Sequence, residues 1–424
     1  MNIGVVSLGC AKNLVDTENM LGLLYGAGFK FVSDPYDADI LIVNTCGFIL
    51  PAKQESINAI LEMAEYKKHG RCKTLVATGC LIERYREELK KELPEVDIFI
   101  GVHEYDKLPA LLNSPVQKDC LPRLLLTPPY RAYLRIGDGC SNRCTYCAIP
   151  LIRKGLKSVP EKDLIDEAKR LADLGVTELT LIAQDTSGYG RDIYGKPRLI
   201  PLLKELDRIS GLHWIRVLYT YPDTVNYELL DTLSGGDKLV PYLDMPLQHI
   251  NDDILRAMNR RGDKRHICSV LDYIRTHYPN FTLRTTMMVG FPSETEAQFA
   301  ELMQFLRDYP FDRVGCFAYS IEENTAAADM ENQIPDKVKQ ERLDALMRQQ
   351  QTISLALNQG RIGEECELLI ESMDENFSYG RTMRFAPDAD GQVLVPRRAF
   401  HGTGCYIPIR LTEADCYDMR GESL

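Results

Sequence analysis

The chain of 424 residues is 45% hydrophobic and 26% charged, a composition typical of a globular protein rather than of a disordered one. Its length is enough for two or three domains. The formal net charge of −11 weighs against a broad nucleic-acid-binding surface and is compatible with a basic partner. No stretch reaches the roughly eighteen apolar residues that a membrane-spanning helix needs, so no membrane attachment is expected.

The first residues and the cysteine count indicate the cellular compartment. No basic region precedes the apolar run of residues 1–7, so this segment predicts a first strand rather than a signal peptide. The chain has 13 cysteines, an odd number, which favours reduced thiols and metal sites over a disulfide framework. We therefore expect a cytoplasmic protein.

Residues 1–112 alternate short apolar runs with amphipathic stretches. This alternation predicts an open parallel sheet flanked by helices. The predicted strands lie at residues 3–7, 39–44, 74–78 and 97–101, and the first two predicted helices at residues 14–27 and 53–68.

Three cysteines of this region lie at or just past the carboxyl end of a predicted strand, each beside a glycine: Cys10, Cys46 and Cys80. Loops beyond the carboxyl ends of parallel strands converge on one crevice, which is the usual ligand site of such sheets. Three thiolates in one crevice suit an iron–sulfur cluster. Three buried cysteines that act as small apolar residues explain the pattern equally well.

Residues 113–130 are predicted to be a linker, because Pro115, Pro122, Pro128 and Pro129 interrupt any periodicity.

A second group of cysteines, Cys140, Cys144 and Cys147, has the spacing C-x3-C-x2-C. Three thiols within eight residues are too close for ordinary core packing, and they are one thiol short of a closed four-thiolate zinc site. A [4Fe–4S] cluster on three cysteines would keep one iron free for another ligand. The spacing therefore predicts a cluster with an open iron.

The segment of residues 131–359 predicts a partial barrel of parallel strands, with its active site at the carboxyl ends. Six candidate strands alternate with helices such as residues 161–174, and a long charged helix at 336–359 is expected to pack outside the barrel or to reach the tail. The strands are predicted at residues 131–136, 178–183, 214–219, 240–245, 283–289 and 313–318.

Residues 360–424 predict a small all-β barrel. Four short apolar strands are punctuated by glycines, at residues 366–370, 378–383, 393–395 and 404–411. This segment has seven arginines, no lysine and twelve acidic residues. Because an acidic barrel should not favour a polyanion, direct binding of nucleic acid is not expected, and a basic protein is the better partner.

The loop Cys140–Cys147, on the first strand of a partial barrel, resembles the radical S-adenosylmethionine superfamily. The segments Ser7-Leu8-Gly9-Cys10, Asn44-Thr45-Cys46 and Thr78-Gly79-Cys80 resemble the N-terminal domain of its methylthiotransferases. The tail, with Tyr379-Gly380-Arg381-Thr382, is similar to the TRAM domain of those enzymes. The resemblance covers essentially the whole chain in the right order. It implies an N-terminal methylthiotransferase domain (1–112), a radical SAM core (131–359) and a TRAM domain (360–424).

The resemblance also implies two [4Fe–4S] clusters. S-adenosylmethionine would bind the open iron of the cluster at Cys140, Cys144 and Cys147, and an electron donor would drive its cleavage to a deoxyadenosyl radical. The cluster at Cys10, Cys46 and Cys80 would carry the sulfur, methylated by a second S-adenosylmethionine. Both open irons must then face one cavity, so the N-terminal sheet is expected over the mouth of the barrel.

Members of this family modify either an adenosine in transfer RNA or an aspartate of small-subunit ribosomal protein twelve. Three features resemble the second group: Asp138-Gly139-Cys140 followed by residues 148–153, the stretch Pro246-Leu247-Gln248-His249-Ile250, and the acidic tail. We therefore expect methylthiolation of the β-carbon of that aspartate, on the free protein or within the ribosomal particle. Methylthiolation of transfer RNA is the alternative, and a non-catalytic electron-transfer module is an alternative from another class.

Four residues are candidate contacts of S-adenosylmethionine: Tyr146 in the cysteine loop, Gln184 and Gln248 near predicted strand ends, and Arg284 at the start of its predicted strand. Packing or a surface role explains each of them as well as binding does. No catalytic residue is assigned beyond the clusters. His249 is interpreted as a loop histidine rather than as a proton donor. The other seven cysteines show no shared spacing and are interpreted as bystanders: Cys72, Cys120, Cys268, Cys316, Cys366, Cys405 and Cys416.

Overall fold

The computed structural model of the protein describes residues 1–114 and 123–424. Part of the predicted linker, including Pro115, Pro122 and Cys120, lies outside the described residues. None of the helices in the described ranges has the length and hydropathy needed to cross a bilayer.

The first layer is a five-stranded parallel sheet with the strand order β2-β1-β3-β4-β5. Its central strand, β3, is a run of buried residues covered by helices on both faces, which explains its continuous apolar sequence. The open parallel α/β domain is confirmed, but α1 begins at Ala11 and not at residue 14, and the two-residue edge strand β2 was not predicted. The elements are β1 (Asn2–Ser7), α1 (Ala11–Gly26), β2 (Lys30–Phe31), β3 (Ile40–Thr45), α2 (Leu50–His69), β4 (Thr74–Gly79), α3 (Cys80–Glu92), β5 (Ile98–Ile100) and α4 (Leu108–Leu111).

The second layer is the predicted partial barrel. Strands β6, β9 and β10 form one parallel sheet, and β11, β12 and β13 form another. The amide of Val240 donates to the Ile215 carbonyl at 2.9 Å, which joins the two sheets into one six-stranded wall. The elements are β6 (Arg131–Arg135), β7 (Gly137–Asp138), α5 (Ile149–Ile152), β8 (Lys157–Ser158), α6 (Glu161–Asp173), β9 (Glu178–Ile182), α7 (Arg191–Tyr194), α8 (Leu199–Leu206), β10 (Trp214–Val217), α9 (Tyr227–Gly235), β11 (Tyr242–Asp244), α10 (Asp252–Ala257), α11 (Lys264–His277), β12 (Thr282–Val289), α12 (Glu296–Asp308), β13 (Arg313–Ala318) and α13 (Asp336–Gln359).

The third layer is a closed five-stranded barrel, so the small all-β barrel is confirmed. Its fifth strand was not predicted, because Met419–Ser423 is short and mostly polar. The strands are β14 (Glu365–Met373), β15 (Phe377–Arg381), β16 (Val393–Pro396), β17 (Tyr406–Ala414) and β18 (Met419–Ser423). Helix α13 both packs on the outside of β13 and reaches this domain, where Asn358 Nδ2 donates to the Asp415 carbonyl at 2.8 Å.

Candidate functional site

The segment that carries Cys140, Cys144 and Cys147 begins directly after β6 and β7. Gly139 has φ of +71°, in the left-handed region that favours glycine. A Cβ at this position would stand 2.3 Å from the Gly155 carbonyl oxygen. The Cys140 amide donates to the Lys154 carbonyl at 3.1 Å, so the first thiol is fixed by this close backbone approach.

The three thiols lie together and are free of disulfides. Burial raises the pKa of the Cys147 thiol to about 12, with smaller contributions from the neighbouring Cys144 and Cys140. Burial likewise raises the pKa of Cys140 to about 11. A group of thiols that resist ionisation chiefly because they are buried is suited to a cationic ligand, which binds thiolates and neutralises them.

Tyr146 and Arg260 flank the same thiols. Arg260 Nη1 donates to the Tyr146 hydroxyl at 3.1 Å and lies 4.0 Å from Cys144 Sγ, and the Tyr221 hydroxyl lies 3.7 Å from that sulfur. Burial raises the pKa of Tyr146 well above its usual value. The loop therefore has a positive charge and two phenol groups beside its central cysteine.

The three N-terminal cysteines meet at the carboxyl edge of the first sheet. Cys10 precedes α1 and is exposed, Cys46 follows β3, and Cys80 opens α3 directly after β4. A Cβ on Gly9 would stand 3.2 Å from Cys46 Sγ, so Gly9 allows these two loops to touch. Burial raises the pKa of the Cys80 thiol to about 12 although Arg153 lowers it, and Cys10 and Cys46 add smaller contributions to the rise.

Arg153 links the two groups of cysteines. Its side chain is 1% exposed, and its Nη2 donates to Asp16 Oδ2 at 2.7 Å and lies 3.4 Å from Cys80 Sγ. Its Nη1 donates to Asp138 Oδ1 at 3.0 Å, two residues before Cys140. One buried guanidinium therefore ties Cys80 of the first domain to the start of the cysteine loop of the second.

The rim of the first sheet makes further contacts with the mouth of the barrel, which fulfils the expectation that the sheet lies over it. Lys53 of α2 and Arg84 of α3 both pair with Glu322, at 3.0 and 2.8 Å. Glu322 follows β13 and its carboxylate is almost fully buried, so both pairs are shielded from water. The two domains are thus held with their cysteine edges facing each other.

Of the other candidate contacts of S-adenosylmethionine, Gln184 and Gln248 lie beyond the carboxyl ends of barrel strands. Gln184 Nε2 donates to Asp138 Oδ1 at 3.1 Å, while its buried Oε1 finds no donor among the described residues. Gln248 has φ of +71° and is bonded through its backbone to Thr286 and Met288 of β12, at 2.8 and 2.7 Å. The free oxygen of Gln184 is suited to a ligand that donates a hydrogen bond.

Arg284 lies deeper in the barrel than the two glutamines. It pairs with Asp244 at 2.8 Å and stands 3.5 Å from Asp390 of the C-terminal domain. It lines a cavity of about 340 Å³ together with Cys10, Tyr219 and Asp388. The cavity therefore has contributions from all three domains.

Sequence analysis missed two charged residues of this region, Arg153 and Lys12. The Nζ of Lys12 lies 3.3 Å from the centre of the Tyr219 ring, and the side chain is almost completely buried. The sequence indicates these two residues only through their position, since each follows a cysteine motif by a few residues. Neither residue has a spacing pattern that identifies its partners.

His249 is completely buried, and its Nε2 lies 3.7 Å from Glu294 Oε1. This is the environment of a structural histidine. The remaining described cysteines are spread over separate parts of the molecule: Cys72 lies in the N-terminal core, Cys268 of α11 and Cys316 of β13 pack against the barrel core, and Cys366 packs against the C-terminal core.

The cysteine groups fit a cluster better than a single metal ion. Within residues 1–114 and 123–424, no three cysteine, histidine or acidic side chains stand close enough to bind one ion together. Thiolates of a cluster each bind a different iron and so need not converge on a point. Two sets of three thiols, with glycine at the tight approaches of Gly9 and Gly139, agree with such a role.

Three family models match the chain in the order of its domains. Residues 2–101 match the uncharacterized protein family UPF0004, residues 134–306 the radical SAM superfamily, and residues 362–424 the TRAM domain. The solved structure of the radical S-adenosylmethionine methyltransferase TsrM from Kitasatospora setae has the same fold over 77% of this chain and 73% of its own, with a TM-score of 0.57 and 12% identity. The cobalamin-dependent radical enzyme OxsB is similar over 83% of this chain and 57% of its own, with a TM-score of 0.53 and 10% identity. The protein is thus a radical S-adenosylmethionine enzyme, a class that implies a [4Fe–4S] cluster and S-adenosylmethionine.

Full-length relatives identify the family within this class to which the chain belongs. The ribosomal protein uS12 methylthiotransferase RimO of Clostridioides difficile is 45% identical over 439 residues, covering 100% of this chain and 99% of its own. That of Syntrophus aciditrophicus is 46% identical over 444 residues, covering 99% and 98%. The chain therefore belongs to the ribosomal protein uS12 methylthiotransferase family, and the predicted methylthiotransferase activity is confirmed.

Proposed function

We propose that this protein transfers a methylthio group to the β-carbon of an aspartate in ribosomal protein uS12. The observation that carries the proposal is the buried Arg153, which holds the two cysteine groups at one site. The full-length likeness to uS12 methylthiotransferases favours uS12 over transfer RNA as the substrate. The net charge of −11 is compatible with a basic ribosomal protein.

In this proposal each set of three cysteines holds one [4Fe–4S] cluster. Cys140, Cys144 and Cys147 hold the cluster that binds S-adenosylmethionine, and Cys10, Cys46 and Cys80 hold a second cluster that supplies sulfur. When bound, these groups supply a deoxyadenosyl radical that abstracts hydrogen and a methylated sulfur for insertion. An electron donor, a cytoplasmic location and uS12 either free or within the ribosomal particle complete the proposal.

The protein's own residues position and shield the reactants. Tyr146, Gln184 and Gln248 are the proposed contacts of S-adenosylmethionine beside the cysteine loop, and the unpartnered Oε1 of Gln184 would accept a hydrogen bond from it. Arg284 contributes to the wall of the shared cavity. Lys53, Arg84 and Glu322 close the rim between the domains and limit the access of water.

The domain limits of the proposal are residues 1–112, 131–359 and 360–424, with residues 113–130 as the connection. The end of that connection is anchored, since Arg123 Nε donates to the buried Glu18 of α1 at 2.7 Å. Arg123 also pairs with Glu167 of α6 at 2.8 Å. Arg123 therefore contacts both domains at one point.

Mass spectrometry of uS12 tests the substrate. Cells that lack this enzyme should yield uS12 without the added methylthio mass on its target peptide, and complementation should restore that mass. If the peptide keeps the added mass in the deleted strain, uS12 is not the substrate. Loss of a methylthio group from transfer RNA in the same strain would support the alternative.

Two cysteine variants test whether one cluster forms the radical and the other supplies the sulfur. Cys10→Ala should still release deoxyadenosine but abolish methylthiolation, because only the sulfur-supplying group is damaged. Cys144→Ala should abolish both. Iron analysis after anaerobic reconstitution should give about eight irons in the wild type and about four in each variant. Equal deoxyadenosine release from both variants would contradict the assignment.

A further inference from the structure

Lys12 is a buried cation without an acidic partner. It is 8% exposed, and among the described residues it forms no ion pair and no hydrogen bond through its ammonium group. The acid one helical turn further along α1, Asp16, is already paired with Arg135 and Arg153. Burying an ammonium group without a counter-charge is unfavourable, and such an arrangement is retained where a ligand completes it.

The only described contact of the Lys12 ammonium group that offsets its charge is aromatic. Its Nζ stands 3.3 Å from the centre of the Tyr219 ring, well within the range of a cation–π contact. Tyr219 has φ of +62°, a left-handed conformation that is costly for a tyrosine. Its backbone amide donates to Asp244 Oδ2 at 2.8 Å, which holds the residue in that conformation.

The Tyr219 ring also lines the cavity that contains Cys10 and Arg284. Arg284 does not offer a free charge there, because Asp244 and Asp390 flank it at 2.8 and 3.5 Å. Lys12 is thus the cation beside this cavity whose charge the fold leaves unpaired, within the described residues. Its position two residues after Cys10 sets it beside the proposed sulfur-supplying group.

We propose that Lys12, stacked on Tyr219, binds the side-chain carboxylate of the target aspartate and so sets the position of its β-carbon. The inference rests on the proposed function. The reacting β-carbon is bonded directly to the carboxylate carbon, so a cation that fixes the carboxylate leaves that carbon little freedom. A neutral amide would leave the ammonium unpaired, and Lys12 therefore distinguishes aspartate from asparagine.

Binding of two substrates to reconstituted holoenzyme tests this inference. The probes are recombinant uS12 and its variant with the target aspartate changed to asparagine. Wild-type enzyme should bind the aspartate form roughly 30-fold or more tightly than the asparagine form, as expected for a shielded charge pair. Lys12→Met and Lys12→Gln should each lose most of that preference, and Lys12→Arg should keep part of it.

Lys339→Met is the matched control. Lys339 is also buried at the start of a helix, with its Nζ 5.5 Å from the centre of the Tyr319 ring, but unlike Lys12 it pairs with an acidic residue, Asp336. This variant should keep the preference for aspartate. The neutral Lys12→Gln, closer to lysine in polarity, keeps the test decisive if Lys12→Met fails to fold.

Two results would overturn the inference: equal binding of both substrates by the wild type, and retention of the full preference by Lys12→Met. If Lys12→Met retains the preference and also changes the electron paramagnetic resonance spectrum of the reduced N-terminal cluster, Lys12 belongs to the cluster instead. Failure of wild-type enzyme to methylthiolate uS12 is a separate result, read by mass spectrometry, and contradicts the proposed function itself.

Discussion

Gly139 fixes the backbone on which the radical-generating loop depends. Gly139 has φ of +71°, and a Cβ at this position would stand 2.3 Å from the Gly155 carbonyl oxygen. The site therefore has no room for a side chain. Gly139→Ala should displace Cys140, so that reconstituted enzyme holds about four irons rather than eight and releases no deoxyadenosine. Gly175→Ala is the control, since Gly175 also has positive φ but no atom within 4 Å of its Cβ position. Full iron content in Gly139→Ala would refute this account.

Some functional residues could be predicted from the sequence and others could not. The six cysteines were identifiable because thiols near strand ends or at C-x3-C-x2-C spacing are unusual. The role of Arg153 could not be identified from the sequence. Its five acceptor atoms come from helix α1, helix α3 and the segment before Cys140, which only the folded chain brings together. Lys154 beside it has φ of +63°, a conformation that glycine adopts more readily. In this chain the glycine stands one residue later, at Gly155.

At the scale of elements, strands and helices with a strong apolar period were predicted closely, and short polar ones were missed. Strand β3 and helix α13 are examples of the first kind. The two-residue strands β7 and β8 pair only because Gly137 and Ser158 are held opposite each other around the cysteine loop. Strand β18 pairs with β16 and β17 through its backbone, and its polar side chains give no period. Long-range pairing of this kind has no local signal.

Helix α13 is predicted to be essential for the stability of the barrel's last strand. Leu346 is fully buried in the core between this helix and the strands. Leu346→Ala should cost about 2–5 kcal/mol in the free energy of unfolding, because it removes buried methyl groups and leaves a cavity. The matched control is Arg348→Ala on the exposed face, which should change that energy by less than about 0.5 kcal/mol.

Hydrogen exchange of the β13 amides measures this effect locally. Protection should fall in Leu346→Ala and stay unchanged in Arg348→Ala. An equal change in both variants would mean that the helix contributes through its surface and not through its buried face.

At the scale of the whole molecule, the C-terminal barrel acts as part of the core enzyme. Two of its acidic residues contact the radical SAM core: Asp388 pairs with Arg131 and accepts from the Tyr133 hydroxyl, and Asp390 accepts from the Tyr242 hydroxyl. Asp388 is half-exposed and also lines the shared cavity. These two of the twelve acidic residues therefore join the domains, which the count of charges in the sequence did not reveal.

A buried ionic network around Glu178 of β9 joins the radical SAM core to the C-terminal barrel. Arg381 of β15 donates from Nη1 to Glu178 Oε1 at 3.2 Å, and Arg216 of β10 lies 3.5 Å from the same oxygen. All three side chains are nearly inaccessible to solvent. Opposite charges hold Glu178 ionised, since Arg381 and Arg216 lower its pKa against the effect of burial. Removing one member leaves a buried charge uncompensated.

Glu178→Gln should therefore weaken the attachment of the C-terminal barrel by about 3–5 kcal/mol. Hydrogen exchange of the amides of β15 reports the loss, because this strand carries Arg381. Arg381→Met should have a similar effect. The double variant should lose clearly less attachment energy than the sum of the two single variants, because neither Glu178 nor Arg381 remains as a charge without its partner. Glu365→Gln is the control: its pair with Arg410 on the same domain is solvent-exposed and should contribute no more than about 1 kcal/mol. Strictly additive effects of Glu178→Gln and Arg381→Met would show that the two residues stabilise the attachment independently and not through their mutual pair.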